Sequence, residues 1–109
     1  TSNEPNPIFE SNILIPEVFI LYQNYPNPFN GETQISFDLL EDASISLFIF
    51  DANGRIIQQF IEDQFMPSGN YHYSWKANGN PTGIYFFTIQ ASVNGLESTT
   101  LSRKMIYLK

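Results

Sequence analysis

Apolar residues recur at every second position over short stretches of this chain, and turn-forming residues separate the stretches. In one of them Ile35, Phe37 and Leu39 alternate with Ser36 and Asp38. This period of two is typical of a strand that buries one face. The sequence contains no convincing helix. The pattern therefore restricts the chain to antiparallel β structure.

Seven stretches either follow this alternation or are short apolar runs. The predicted strands are Glu17–Tyr22, Gln34–Leu40, Ala43–Phe50, Arg55–Ile61, Asn70–Lys76, Ile84–Ala91 and Glu97–Lys109. Ile84–Ala91 is apolar on both faces at its start, so we expect it in the centre of a sheet. Glu62–Gly69 is polar and ends in Pro67-Ser68-Gly69, which predicts a loop.

The turns between these stretches favour one fold class. Asn53-Gly54 and Asn94-Gly95 tolerate the positive φ of tight hairpin turns, and Asp51-Ala52-Asn53-Gly54 is interpreted as such a turn. Short strands separated by regular turn signals predict an all-β fold, an Ig-like antiparallel β-sandwich of about seven strands. The cysteines of a true Ig domain are absent.

The first sixteen residues do not fit this pattern. Thr1–Pro16 contains Pro5, Pro7 and Pro16 and has no sustained period, so we predict a linker. Glu17–Lys109 is then the folded domain. The chain starts without Met or a signal peptide, so we expect it to be a piece of a longer protein.

Charge and composition exclude several classes of partner. The formal net charge is −6, and an acidic chain repels nucleic acid and anionic lipid. No apolar run approaches the roughly 20 residues of a membrane helix, so we expect no stable membrane insertion. The absence of cysteine removes thiol catalysis, disulfides and cysteine-based zinc sites.

The sequence contains no convincing catalytic or metal-binding constellation. His72 is the only histidine, and we interpret it as a solvated strand residue because it lies on a polar face. The acidic residues lack the spacing of a calcium loop and are interpreted as solvated turn residues; they include Asp38, Glu41, Asp42, Glu62 and Asp63. We expect neither an enzyme nor a cofactor. A small hydrolase would need a cleft that brings His72 near a carboxylate and a hydroxyl group.

Three aromatic residues allow two interpretations. Tyr71, Tyr73 and Trp75 alternate with polar residues, as the interior face of a sandwich strand does. The same three rings could also stack on sugars. An alternative function is therefore a non-catalytic Ig-like accessory or carbohydrate-binding module of a secreted multidomain enzyme. That alternative requires an exposed Trp75, and we favour the core.

Four motifs occur in order along the chain. They are Asn24-Tyr25-Pro26-Asn27-Pro28-Phe29-Asn30; Phe48-Ile49-Phe50-Asp51-Ala52-Asn53-Gly54-Arg55; Pro67-Ser68-Gly69-Asn70-Tyr71 followed by Trp75, Asn78-Gly79 and Thr82-Gly83-Ile84-Tyr85-Phe86; and Arg103-Lys104-Met105-Ile106. This ordered set resembles the type A C-terminal sorting domain of the type IX (Por) secretion system over Leu21–Lys109. Gly31 and Lys76 depart from the usual family pattern. A weaker similarity exists to the Ig-like domain of flagellar hook-capping proteins.

The resemblance implies a fold, a function and a set of partners. Such domains are β-sandwiches of secreted proteins from Bacteroidetes-type bacteria, and they direct an upstream cargo from the periplasm through an outer-membrane translocon. A sortase-like peptidase commonly removes the domain, and the cargo stays on the surface or is released. The positions that match the family motifs, and are expected to be structural, are Asn27, Pro28, Phe29, Asn30, Gly54, Gly69, Tyr71, Trp75, Gly83 and Tyr85.

The last predicted strand is the expected recognition element. Three of the five Lys and Arg residues lie in the final seven positions, and the residues assigned to translocon recognition are Arg103, Lys104, Met105, Ile106 and Lys109. Lysine on an edge strand also prevents aggregation, so the charges have a second explanation. An edge with free backbone groups could accept a partner strand. We expect a monomer whose export fails when Glu97–Lys109 is deleted or when Lys104 and Met105 are changed.

Overall fold

The computed structural model describes residues 18–109, and this part of the chain contains seven strands and no helix. The strands are β1 (Phe19–Leu21), β2 (Glu32–Leu39), β3 (Ala43–Asp51), β4 (Ile56–Met66), β5 (Gly69–Lys76), β6 (Gly83–Ser92) and β7 (Thr99–Tyr107). The predicted linker Thr1–Pro16, together with Glu17, lies outside the described residues. Nothing in residues 18–109 forms a helix that could cross a membrane.

The strands form two antiparallel sheets that pack face to face. One sheet has three strands in the order β1-β2-β5, and the other has four in the order β4-β3-β6-β7. This arrangement confirms the predicted all-β sandwich. It also confirms the central position of the strand predicted at Ile84–Ala91, because β6 pairs with both β3 and β7.

Alternate residues of both sheets fill the space between them. Ile35 and Phe37 from β2 are fully buried, as are Ile45, Leu47 and Ile49 from β3. Burying one such side chain stabilises a fold by about 1.5–3 kcal/mol, so this alternation supplies most of the driving force for folding. The core that the period-2 pattern predicted is therefore the observed one.

Most of one predicted loop is a strand. Glu62–Gly69 was predicted to be a loop, but β4 continues to Met66. The strand passes through an irregularity at Asp63, which has a φ of 44° and donates its backbone N–H to Ser46 Oγ at 2.9 Å. The pairing of β3 with β4 shifts register in the same region. A polar bulge inside a strand has the composition of a loop, which explains the error.

The hairpin between β3 and β4 has the predicted turn. The backbone N–H of Gly54 donates to the carbonyl of Asp51 at 3.0 Å, and Gly54 has a φ of 86°, which favours glycine. The Asp51 carboxylate accepts backbone N–H groups from Asn53 and Arg55 at 2.9 and 3.0 Å. Arg55 Nε adds a 3.0 Å ion pair to Asp51 Oδ2. The ionised carboxylate of Asp51 therefore stabilises the turn through hydrogen bonds and an ion pair.

These bonds predict how stability depends on pH. The backbone N–H of Arg55, and next its guanidinium group, lower the pKa of Asp51 below its ordinary value of 3.8. Because the pKa of Asp51 is lower in the folded state, the ionised carboxylate stabilises the fold at pH values above the ordinary pKa. This stabilisation is lost as the pH falls through the folded-state pKa. We expect Asp51→Asn to be less stable than wild type at neutral pH, with the gap narrowing below pH 3.8. Urea unfolding over a pH series measures this, and a gap that stays constant into acid would contradict it.

Candidate functional site

β7 is an edge strand with two different halves. It pairs with β6 along its whole length, from Thr99 opposite Ala91 to Tyr107 opposite Gly83. Every residue from Thr99 to Lys104 is exposed, whereas Met105 and Tyr107 are buried. The strand is therefore anchored in the core at its end and presented to solvent at its start.

An aromatic cluster holds the buried half in place. The rings of Phe29 and Tyr107 stack at a centroid distance of 5.2 Å, and Phe29 lies 5.8 Å from Trp75. Tyr85 contacts both Trp75, at 5.3 Å, and Tyr107, at 6.5 Å. All four side chains are buried, so this cluster joins both sheets to the end of β7.

The segment Gln23–Phe29, which we call the clasp, covers the outer edge of the same half. The Phe29 N–H donates to the Ile106 carbonyl at 3.0 Å, and the Leu108 N–H donates to the Phe29 carbonyl at 2.8 Å. The Ile106 N–H donates to Asn27 Oδ1 at 3.0 Å, and Gln23 Nε2 donates to the Lys104 carbonyl at 2.8 Å. The edge is thus paired at these positions and cannot accept a partner strand there.

A buried polar network holds the clasp itself. Asn24 is 2% exposed, and its Nδ2 group donates to the Pro26 carbonyl and to Thr33 Oγ1. Thr33 Oγ1 donates to the same Pro26 carbonyl at 2.8 Å, and Gln23 Nε2 donates to Asn24 Oδ1 at 2.7 Å. Buried polar groups with all these partners rigidify a loop. The first sequence motif therefore has a structural role, which is to position Asn27 and Phe29 against β7.

The five predicted recognition residues do not form one surface. Arg103 lies on the side of β7 that faces the other sheet, and its Nε donates to the Leu21 carbonyl at 2.8 Å. Met105 lies on that side too and is fully buried, so in the folded domain it fixes the strand and is not available for contact. Lys104 and half-buried Ile106 point to the opposite side, and Lys109 is exposed at the end of the chain.

Two of the sequence motifs, with the positive φ expected at Gly69 and Gly83, form equivalent tyrosine hydrogen bonds at the starts of β5 and β6 that were not anticipated from the sequence. Tyr71 donates its hydroxyl to the carbonyl of Pro67, and Tyr85 does the same to Pro81. In each case a glycine with positive φ lies two residues before the tyrosine: Gly69 at 157° and Gly83 at 146°. The pattern Pro-Ser/Thr-Gly-x-Tyr occurs twice in the sequence, and this repeat is the signal from which the two hydrogen bonds could have been predicted.

The other aromatic candidates belong to the interior. Trp75 is 4% exposed, and the rings of Tyr71 and Tyr73 stack on Phe37 at 5.3 and 6.2 Å. A sugar-stacking platform needs an exposed aromatic face, which Trp75 does not offer. The core interpretation of these three residues is therefore the one that the structure supports.

His72 and Asp38 lie on the outer face of the three-stranded sheet. His72 Nδ1 is 2.9 Å from Ser36 Oγ, and neighbouring Asp38 is bonded to the Tyr22 hydroxyl and to Asn70 Nδ2. The hydrogen bond from Tyr22, and next that from Asn70, lower the pKa of Asp38. The Asp38 carboxylate therefore accepts hydrogen bonds from Tyr22 and Asn70 and does not orient the His72 imidazole. In a catalytic triad the carboxylate would have to orient the imidazole. No group of three or more potential metal ligands occurs within residues 18–109.

The chain matches a known protein family. The family model described as the secretion system C-terminal sorting domain matches residues 23–107. The match begins at the first residue of the clasp and ends at Tyr107, the last residue of β7. A search of curated proteins found no match.

Proposed function

The chain belongs to the secretion system C-terminal sorting domain family, and from that membership we propose that it carries an upstream cargo protein across the outer membrane, with recognition mainly through β7. As a type IX sorting domain it is a signal of a secreted protein that reaches the cell surface or the extracellular space. The observation that carries the proposal is the match over residues 23–107, which includes all of the clasp and all of β7.

The geometry of β7 supports its role in recognition. A signal has to stay attached to its domain while it offers groups to a receptor. Tyr107 and Met105 attach the strand to the core, and Thr99–Lys104 remains exposed on an otherwise acidic domain. Lys104 forms no ion pair with any described residue, so its charge is available to a partner.

The proposed route and partners follow from the family. The cargo with this domain crosses the periplasm, meets the outer-membrane translocon and is processed by a sortase-like peptidase. In this proposal the folded signal is Glu17–Lys109 and the linker is Thr1–Pro16. Cleavage occurs within Ile8–Ile15 of the linker, because linkers are preferred sites of proteolysis. The domain acts as a monomer and has no catalytic role of its own.

The accessory-module alternative makes its own prediction about Trp75 in β5. A carbohydrate-binding module would lose glycan affinity in Trp75→Ala and keep its fold. With Trp75 buried against Phe29 and Tyr85, we expect that substitution to act on stability instead. This contrast favours the sorting function.

A fusion experiment tests the proposed function. Residues 1–109 are joined to the C-terminus of a periplasmic reporter in a host with a working type IX system. We expect the reporter outside the cell or on its surface, because the domain supplies the signal that the reporter lacks. The control is the reporter without the domain, which stays in the periplasm. Retention of both proteins would refute the proposal.

A further inference from the structure

The two sheets of the sandwich have different outer faces. On the three-stranded sheet, every outward pair between β2 and β5 is polar. These pairs are Glu32 with Lys76, Gln34 with Ser74, Ser36 with His72 and Asp38 with Asn70. The four-stranded sheet has an apolar region on the corresponding face. We call it the outer patch, and it consists of Phe48, Phe50, Ile56, Ile84, Phe86 and Ile106.

The outer patch is continuous across four strands. Phe50 lies opposite Ile56 on one side and opposite Phe86 on the other, and Phe86 lies opposite Lys104. In the next row Ile84 lies opposite Ile106. Ile56 and Ile84 are 55% and 43% exposed, and the other four members are half-buried.

The patch has a defined border and a depression at its centre. Beyond the row of Phe48 and Thr88, the same face becomes polar, with Ser46 opposite Gln90 and Gln90 opposite Thr100. A shallow cavity of about 280 Å³ lies between Phe50 and Phe86, with Gly54 and Ser102 at its rim. Scattered apolar residues are normal on a protein surface, but a contiguous apolar patch with a polar border marks an interaction site.

The charges around the outer patch indicate which kind of partner it binds. Lys104 adjoins Phe86, and the nearby carboxylate of Asp51 is already bonded to Arg55 and to the hairpin backbone. A second copy of the patch would therefore bring Lys104 a carboxylate whose charge Arg55 already balances. An anionic membrane is disfavoured by the net charge of −6, because a single lysine does not offset that repulsion. A protein surface that combines an apolar strip with a carboxylate fits both features.

We propose that the outer patch is the docking surface for a protein of the secretion machinery, which inserts an apolar side chain between Phe50 and Phe86 and places a carboxylate against Lys104. This inference rests on the proposed function and specifies how β7 is recognised. Lys104 and Ile106 are the two predicted recognition residues on this surface. The partner then contacts the face of β7 and does not extend the sheet at the edge that the clasp covers.

Two substitutions with matched controls test the inference in the reporter fusion. Phe86→Ser removes the centre of the patch, and Phe65→Ser is its control, because Phe65 is 66% exposed at the polar end of the same sheet. Lys104→Glu reverses the charge, and Lys76→Glu is its control on the other sheet. We expect both patch variants to lower the exported reporter at least about tenfold, as loss of a central anchor does in an interface, and both controls to export normally.

The outcomes separate this inference from the proposed function. Normal export of Phe86→Ser and Lys104→Glu, with export abolished by removal of residues 99–109, would overturn the inference and leave the proposed function intact. Normal export after that removal would overturn both. Thermal unfolding of each purified variant shows whether it folds, and the exposed Lys104→Glu decides the question if Phe86→Ser does not fold.

Two measurements test whether the outer patch instead binds a second copy of the chain or a lipid membrane. Light scattering of the wild-type chain and of Phe86→Ser shows whether the patch joins two copies, and flotation with anionic vesicles shows whether it binds lipid. We expect a monomer and no flotation. A dimer that Phe86→Ser dissociates, or vesicle binding that Lys104→Glu abolishes, would overturn the inference.

Discussion

Replacing Phe29 by alanine is expected to lower the free energy of unfolding by about 3–5 kcal/mol, the usual cost of truncating a buried phenylalanine. Phe29 is 3% exposed and packs against both Trp75 and Tyr107, so its removal leaves a cavity where the two sheets meet. Whole domains are stable by about 5–15 kcal/mol, so one side chain of the clasp would account for a large share.

Urea unfolding of the two purified proteins measures this difference. Phe65→Ala is the matched control, because Phe65 is 66% exposed and its truncation should change stability by less than about 0.5 kcal/mol. Hydrogen exchange adds a local measurement, since the amides of Ile106 and Leu108 bond to the clasp and should exchange faster in Phe29→Ala. A loss no greater than that of the control would show that the clasp does not anchor β7.

Removal of residues 99–109 is expected to reduce export of the fused reporter to the background level. The truncation deletes every exposed residue of β7 and, in addition, the buried side chains of Met105 and Tyr107. It therefore removes the proposed recognition groups together with part of the core. Cell fractionation measures the result as the share of reporter outside the cell.

Unfolding alone has to be separated from loss of the signal. Leu47→Ala is a suitable control, because Leu47 is fully buried in β3 and its truncation costs about 2–5 kcal/mol while β7 keeps all of its residues. We expect Leu47→Ala to export the reporter in proportion to its folded fraction. If Leu47→Ala were still folded and lost export as completely as the truncated protein, the result would argue against a specific role of β7.

The sandwich could be predicted because its signals involve residues that are close together in the sequence. Alternation such as Ile45, Leu47 and Ile49 reports which face of a strand is buried, and Asn53-Gly54 reports where the chain turns. These two signals predicted the number of strands, and the apolar residues on both faces of Ile84–Ala91 predicted the central position of β6. The end of β4 was wrong because the irregularity at Asp63 places polar residues within a strand.

The arrangement around β7 could not be predicted in the same way. The clasp joins Phe29 to Ile106 and Leu108, which are far away in sequence, and alternation contains no information about such pairing. The sequence left open whether the last strand is an edge with free backbone groups; β7 is an edge strand, and at Ile106 both backbone groups are bonded to the clasp. Because Ile84–Ala91 is apolar on both faces, its pattern did not show which face Phe86 occupies, and the meeting of Phe86 with Phe50 and Lys104 depends on strand order.

The proposed function makes this domain an export signal and β7 the part of it that is recognised. The fraction of reporter outside the cell tests both statements when the reporter is fused to residues 1–109 and when it is fused to residues 1–98, in one type IX-competent host. We expect export of the first fusion and periplasmic retention of the second. Equal export of the two fusions would contradict the proposed function of β7.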